Sequence, residues 1–295
     1  MINDLSGLGK CSLTAAISVI SAMGVQAVPL PTAVLSNQTG YDSYFCDDYT
    51  EKMDRIMAEW EKRGFQPDGI YTGFLAGEAQ AEKILSFLNR FSGKDTLVLV
   101  DPIMGDQGKA YGIFTDELCS RMRSLAKRAQ VITPNLTEAL LLLYGRSEME
   151  VRYEALYGSS LDGIRKDVEA LGQKLCQEFE LEAAVITGID QQEKGKPPSM
   201  GNLVSREGRA FWAFAEKKGG SYSGTGDLFA SILSAGMVKG VPMEHCVEKA
   251  AEFLSKAIGD AVAEGTDRND GVCFETYLHE LWEIGKKKRG IQKCL

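Results

Sequence analysis

The chain has 295 residues, 44% of them apolar and 25% charged, with a formal net charge of −8. These values fit a soluble globular protein with one large core or two small ones. They argue against a nucleic-acid surface but leave anionic small molecules open, because a local site can oppose the net sign.

Along the chain, short β-branched or apolar runs alternate with longer helical patterns. The chain starts Met1-Ile2-Asn3-Asp4, and Ser6-Gly7-Leu8-Gly9 reads as a loop. That leaves room for only the end of a first strand, shorter than the usual five or so residues, so the given start is expected to lie inside that strand. Residues 27–34, 97–100, 130–133 and 183–187 read as further strands. Helical patterns cover 12–23, 49–63, 79–91, 115–129, 137–143, 164–178, 228–239 and 243–264. Residues 201–214 read as a hairpin turning at Glu207-Gly208, and 148–162 as a polar, irregular inserted loop. Alternation of this kind predicts an α/β fold, a mostly parallel sheet with helices on both faces. With no repeat or long linker, one domain over 1–295 is expected.

The seven cysteines are scattered and never spaced C-x-x-C. This predicts reduced cytosolic thiols and neither a disulfide frame nor a zinc site. No signal peptide or apolar run of membrane-spanning length occurs, so a cytoplasmic protein without membrane contact is expected. His245 and His279 have no metal-ligand partner at a useful spacing, so histidine-dependent chemistry is not expected. The basic run Lys286-Lys287-Lys288-Arg289 reads as a solvated helix end or tail.

In open parallel sheets ligands bind beyond the carboxyl ends of the strands. The polar residues expected there are Asn3, Asp4, Thr32, Ser36, Asn37, Thr72, Asp101, Asn135, Glu138 and Thr187, with Phe74 and Gly188 beside them. The most informative stretch is Ser223-Gly224-Thr225-Gly226-Asp227, a glycine turn running into an apolar helix. Its unpaired N–H groups and helix dipole suit an anion such as phosphate. Asp227 is either a helix cap or a base beside that anion. Asp101-Pro102 ends a strand or places an oxygen ligand on the ligand face. Asn135 and Glu138 taken alone read first as a helix cap with its first-turn acid, and together with Asp101 as three oxygen-bearing side chains suited to Mg²⁺ bound with nucleotide phosphates. Thr187 caps a strand or offers a hydroxyl to phosphate. Gly7-Leu8-Gly9-Lys10-Cys11-Ser12 suggests a Walker loop but fails it twice, at Asp4 and at Cys11.

Taken together, the chain resembles the ribokinase-like small-molecule kinases and, within them, the pyridoxal kinases of vitamin B6 salvage. The resemblance spans almost the whole chain. It rests on Val34-Leu35-Ser36-Asn37-Gln38-Thr39-Gly40-Tyr41, Gly69-Ile70-Tyr71-Thr72-Gly73-Phe74 and Asp101-Pro102-Ile103-Met104-Gly105-Asp106. Thr133-Pro134-Asn135-Leu136-Thr137-Glu138, Val185-Ile186-Thr187-Gly188 and Gly224-Thr225-Gly226-Asp227 complete it. It implies a three-layer α/β/α sandwich and ATP-dependent phosphorylation of the 5′-hydroxyl of pyridoxal, pyridoxine or pyridoxamine. In that reading Asp227 is the base and Gly224, Thr225 and Gly226 form the anion hole. Asn135 and Glu138 belong to the Mg²⁺–phosphate network, with Asp101 near the metal, directly or through water, or near the γ-phosphate. Thr187 contacts ATP phosphate, and Asp4, Thr32 and Phe74 lie where the family touches substrate. Similar enzymes are homodimers, often use a monovalent cation such as K⁺, and cover the site with the segment that is here 105–112.

The pattern departs from the family at two places. Asp4 stands where many pyridoxal kinases have serine, and Phe74 where many have tyrosine. Asn3-Asp4-x-Ser6-Gly7 is also similar to the hydroxymethylpyrimidine kinases of thiamin synthesis, many of which carry cysteine after the Gly-Thr-Gly turn. That activity is the nearest alternative. A non-catalytic vitamer-binding protein is another, against which the intact Asp227, Asn135 and Glu138 argue.

Overall fold

The computed structural model describes residues 1–157, 161–192 and 195–284. The basic run at 286–289 and Cys294 lie outside the described residues. The first half of the chain runs β1 (Ile2–Leu8), α1 (Ser12–Ala22), β2 (Leu30–Asn37), β3 (Cys46–Asp48), α2 (Thr50–Lys62), β4 (Gly69–Thr72) and α3 (Glu78–Phe91). Next come β5 (Leu97–Val100), a small hairpin of β6 (Gly105–Asp106) and β7 (Lys109–Ala110), α4 (Asp116–Ala126), β8 (Val131–Ile132) and α5 (Leu136–Tyr144). Then α6 (Arg146–Tyr157), α7 (Leu161–Phe179), β9 (Ala183–Gln191), β10 (Ser199–Arg206) and β11 (Arg209–Glu216) follow. The glycine turn opens α8 (Thr225–Val238), and α9 (Met243–Glu264) and α10 (Leu278–Ile284) end the described chain.

Among the described residues, nine strands form one sheet in the order β11-β10-β9-β8-β5-β4-β1-β2-β3. The six strands from β9 to β2 are parallel, and β3, β10 and β11 add antiparallel edges. The parallel strands are apolar on both faces because both faces are covered. Val98 and Val100 point into a core with Met57, Phe87, Met122, Leu140 and Val168, from α2, α3, α4, α5 and α7. Leu99, between them, points into the other core with Val19, Leu228, Val247 and Leu281, from α1, α8, α9 and α10. The period of two along a strand therefore sorts one apolar run into two cores, giving the expected α/β/α layers.

Two expectations about local structure are corrected. First, β1 is not a short remnant before a loop: it runs seven residues through Ser6-Gly7-Leu8, paired with β2 as far as Leu8 opposite Asn37. The small residues there permit close strand approach, since a Cβ on Gly7 would stand 2.6 Å from the Ser36 carbonyl oxygen. Likewise β2 starts and ends three residues later than expected, because its polar end pairs with that overhang. Second, the segment expected as a loop over 148–162 is largely α6 and the start of α7. Met149, Tyr153 and Leu156 recur at helical spacing and pack on the first core, a narrow stripe inside a polar sequence.

Leu99 lies fully buried in a central strand. Leu99→Ala is expected to lower unfolding stability by about 2–5 kcal/mol. The check is urea denaturation, in which the midpoint falls while the slope stays unchanged.

Candidate active site

Strand register sets the site. Ile2, Thr72, Val100, Ile132 and Ala184 pair in one row across β1, β4, β5, β8 and β9. Asn3, Gly73, Asp101 and Thr133 lie one residue beyond. The N–H groups of Gly73, Asp101 and Thr133 donate to the carbonyls of Ile2, Thr72 and Val100 at 2.8, 2.9 and 3.2 Å. Asp4 and Phe74 follow one step later, and Asn135 forms a bridge to Thr187. Asn3, Thr72, Asp101 and Asn135 therefore line one ledge, whereas Thr187, expected to end its strand, sits inside β9, which runs on to Gln191. β1 and β2 run on past it, so Asp4 and Thr32 sit inside strands and face the ledge level from the overhang.

Asp227 occupies the first turn of α8 and is buried. Three elements donate to it. Asn3 Nδ2 reaches Oδ1 at 2.8 Å, the Tyr71 hydroxyl reaches the same oxygen at 3.2 Å, and the Ser12 N–H reaches Oδ2 at 2.8 Å. Asn3 is itself fixed, its Oδ1 accepting from the N–H groups of Asp4 at 3.0 Å and Phe74 at 2.8 Å. Gly73 makes room for it, since a Cβ there would come within 2.4 Å of Asn3 Nδ2. Gly224 has φ +79, and a Cβ there would lie 2.3 Å from the Lys10 carbonyl oxygen. Both the conformation and the approach demand glycine. Lys10 and Ser12 also have positive φ, 48° and 52°, a strained turn that aims the Ser12 N–H at Asp227.

Burial pushes the Asp227 carboxyl up, the Ser12 N–H pulls it back, the charge on Asp4 pushes it up again, and Asn3 and Tyr71 oppose that rise. The result is a pKa raised to about 6. A carboxylate in that range is ionised at neutral pH yet basic enough to accept a proton in a reaction. Ahead of it, the N–H groups of Thr225 and Gly226 head a 14-residue helix with no intrahelical acceptor.

Asp101 and Glu138 form a second acidic pair. Burial raises Asp101, the charge on Asp227 adds to the rise, and the Thr133 hydroxyl at 3.0 Å opposes it, leaving it at about 8. Glu138 is pushed well above its usual range by burial and then by Asp101. The two readings of Asn135 and Glu138 prove compatible. They form a full capping box, with Asn135 Oδ1 accepting from the Glu138 N–H at 3.0 Å and Glu138 Oε2 from the Asn135 N–H at 2.8 Å. Glu138 Oε1 accepts from the Met104 N–H at 3.1 Å, and Asn135 Nδ2 donates to the Gly105 carbonyl at 2.8 Å. The cap thus ties the β6–β7 hairpin to the ledge. Gly108 N–H adds a bond to Thr137 Oγ1 at 2.9 Å.

Among the described residues no cluster of three or more His, Cys, Asp or Glu is placed to hold a metal ion. Both Glu138 oxygens accept backbone hydrogen bonds, whereas Asp101 Oδ2 faces the glycine turn, 3.9 Å from where a Cβ on Gly226 would stand. This donor set fits Mg²⁺ held by a carboxylate, waters and the phosphates of a nucleotide.

On the overhang, Asp4 Oδ2 accepts from the Ser6 hydroxyl at 2.7 Å. Burial raises its pKa, against the Ser12 and Ser6 hydroxyls. Thr32 Oγ1 reaches the Phe74 carbonyl at 3.4 Å and is wholly buried, so it braces the Phe74 backbone. Phe74 is half-buried, as is Thr187, whose N–H donates to the Pro134 carbonyl at 2.9 Å. Sequence reasoning placed Asn3 at a strand end without a role, and gave Tyr71 and Ser12 none. For Tyr71 a signal existed: a tyrosine in a short buried strand needs a partner for its hydroxyl.

An α/β/α sandwich with a glycine turn opening a helix, a buried carboxylate behind it and an acidic ledge defines a ribokinase-like small-molecule kinase. The chain belongs to the phosphomethylpyrimidine kinase family, whose model matches residues 9–271. It is 33% identical to a Bacteroides thetaiotaomicron protein assigned as a phosphomethylpyrimidine kinase and crystallised with pyridoxal. The match covers 95% of this chain and 93% of that one, with a TM-score of 0.83. The Lactobacillus plantarum pyridoxal kinase structure is 27% identical over 96% and 95% of the two chains, TM-score 0.79. The Bordetella avium pyridoxine/pyridoxal/pyridoxamine kinase is 26% identical over 85% of this chain and 80% of its own.

Turnover is expected to fall as pH drops through about 6, as Asp227 takes up its proton. Tyr71→Phe removes a donor that lowers this pKa, so the acid limb should move to higher pH, by up to about one unit. A pH–rate profile of both proteins checks the shift, and an unmoved limb counts against it.

Proposed function

We propose that the chain transfers the γ-phosphoryl group of ATP to the 5′-hydroxyl of a B6 vitamer: pyridoxal, pyridoxine or pyridoxamine. The observation that carries this reading is the buried Asp227 carboxylate, held by three donors directly behind the glycine turn. Asp227 takes the hydroxyl proton, and the N–H groups from Gly224 to Gly226 stabilise charge on the transferred group. Thr187 and Asn135 contact the ATP phosphates. Asp101, and Glu138 through water, hold Mg²⁺, which when bound neutralises charge on the phosphate oxygens. Asp4, Thr32 and Phe74 shape the ring side. Support for the substrate comes from the Bacteroides relative crystallised with pyridoxal and from relatives named as B6 vitamer kinases.

The wider reading is one kinase domain over 1–295, working in the cytoplasm as a homodimer, with a monovalent cation such as K⁺ assisting. No helix among the described residues is long and apolar enough to cross a membrane. A second substrate reading is hydroxymethylpyrimidine, favoured by the description of the matched family and by the Asn3-Asp4-x-Ser6-Gly7 stretch.

The test is ATP consumption with Mg²⁺ and K⁺ across the three vitamers, hydroxymethylpyrimidine and ribose, with product masses. A phosphorylated vitamer is the expected product; activity confined to hydroxymethylpyrimidine overturns the substrate. Asp227→Asn is expected to lower kcat by about 10²–10⁴ while pyridoxal binding by calorimetry persists. Near-native turnover by that variant removes Asp227 from the role of base.

A further inference from the structure

We propose that Arg268 is a catalytic residue whose guanidinium clamps the γ-phosphoryl group during transfer. The inference rests on the kinase reading above and adds a cation to a site otherwise built from carboxylates and N–H groups.

Arg268 lies in the 267–271 turn after α9, and that turn is pinned to the catalytic centre. The Ser223 N–H, one residue before Gly224, donates to the Arg268 carbonyl at 2.9 Å. Gly271 has φ +82, and a Cβ there would lie 2.8 Å from the Gly9 carbonyl oxygen and 3.3 Å from that of Ser223. The turn is therefore packed against both the glycine turn and the β1–α1 turn. Gln38 Nε2 reaches Asn269 Oδ1 at 3.1 Å, and the Tyr41 hydroxyl bonds the Asp270 carboxylate. The Arg268 backbone is thus fixed from three sides while its side chain is exposed at the rim of the cleft.

Its charge is felt at the β6–β7 hairpin. Burial raises Asp106 of β6, and the Gln107 N–H and then the Arg268 charge oppose that rise. Asp106 belongs to the β6–β7 hairpin, so the Arg268 charge lies within Coulombic reach of that hairpin from the turn pinned beside Gly224. Among the described residues Arg268 has no salt bridge. The neighbouring cation Lys10 is paired with Glu275 at 3.0 Å. A planar fork suits phosphate oxygens bidentately, and the helix dipole supplies only about half a charge.

In the step itself the 5′-oxygen bonds to the γ-phosphorus as the bond from that phosphorus to the β,γ-bridging oxygen breaks. ADP leaves with that electron pair, and the hydroxyl proton passes to Asp227. Arg268 holds the equatorial oxygens throughout, as an arginine supplied from within the chain.

The experiment compares wild type, Arg268→Ala and Arg268→Lys, all checked for unchanged melting temperature. Arg268→Ala is expected to lose about 10³-fold in kcat, with the vitamer KM little changed. Guanidinium ion at non-denaturing concentration should restore part of the lost rate where NaCl of equal ionic strength does not. Arg268→Lys should recover activity only in part, having charge without the fork. Calorimetry with Mg²⁺ should show Arg268→Ala losing at least about tenfold in affinity, near 1.4 kcal/mol, for a non-hydrolysable ATP analogue and none for ADP. A kcat within about threefold of wild type, or equal losses for both nucleotides, overturns the proposal. If the wild-type protein phosphorylates no vitamer, the substrate reading fails by itself, and the nucleotide comparison still decides Arg268.

Discussion

The structure is organised around a charge taken out of water. Asp227 is buried at a helix start, and a carboxylate there is tolerable only if donors meet it. They come from three elements: the Asn3 amide of β1, the Tyr71 hydroxyl of β4 and the Ser12 N–H at the start of α1. Each imposes a further demand. Asn3 can approach only because residue 73 is glycine. The Ser12 N–H points correctly only because Lys10 and Ser12 accept left-handed backbone angles and residue 224 has no Cβ. The glycines in and around the site are thus consequences of holding one oxygen pair in place. The strained turn concentrates where function needs it.

The same logic extends along the ledge. Asp101 and Glu138 are buried, mutually repelling and raised in pKa. For stability alone, replacing them with apolar residues would be the easier solution. Their retention in a capping box and a Thr133 contact gives a site whose carboxylates are oriented before any ligand arrives, which lowers the reorganisation needed when charge develops in a reaction. The capping box also shows why a structural and a functional reading need not compete. Both Glu138 oxygens serve the backbone, yet its carboxyl remains beside Asp101.

Much of this was legible in the residues, for physical reasons. The glycine turn before an apolar helix has a local signature, and the apolar runs from 97 to 100 and from 183 to 187 could only be strands buried on both faces. Asp101, Asn135 and Glu138 announced themselves by following such runs. What was not legible depended on register. The continuation of β1 through Ser6-Gly7-Leu8 is decided by pairing with β2, which no local pattern encodes. The Tyr71 contact to Asp227 spans 156 positions and needs both layers in place. The α6 helix was hidden because its apolar stripe is one residue wide and its remaining faces are polar.

The overhang of β1 and β2 gives the site an electrostatic property that neither strand has alone. It carries Asp4 to within Coulombic range of Asp227, so each raises the cost of ionising the other. A positive charge brought beside Asp4 would relieve that repulsion and lower the Asp227 pKa. Without such a charge Asp4 keeps the Ser6 hydroxyl as its donor and Asp227 keeps its raised pKa. Serine at position 4 would offer hydrogen bonding without this link. The acid at position 4 thus links the charge around β1 to the protonation state of Asp227.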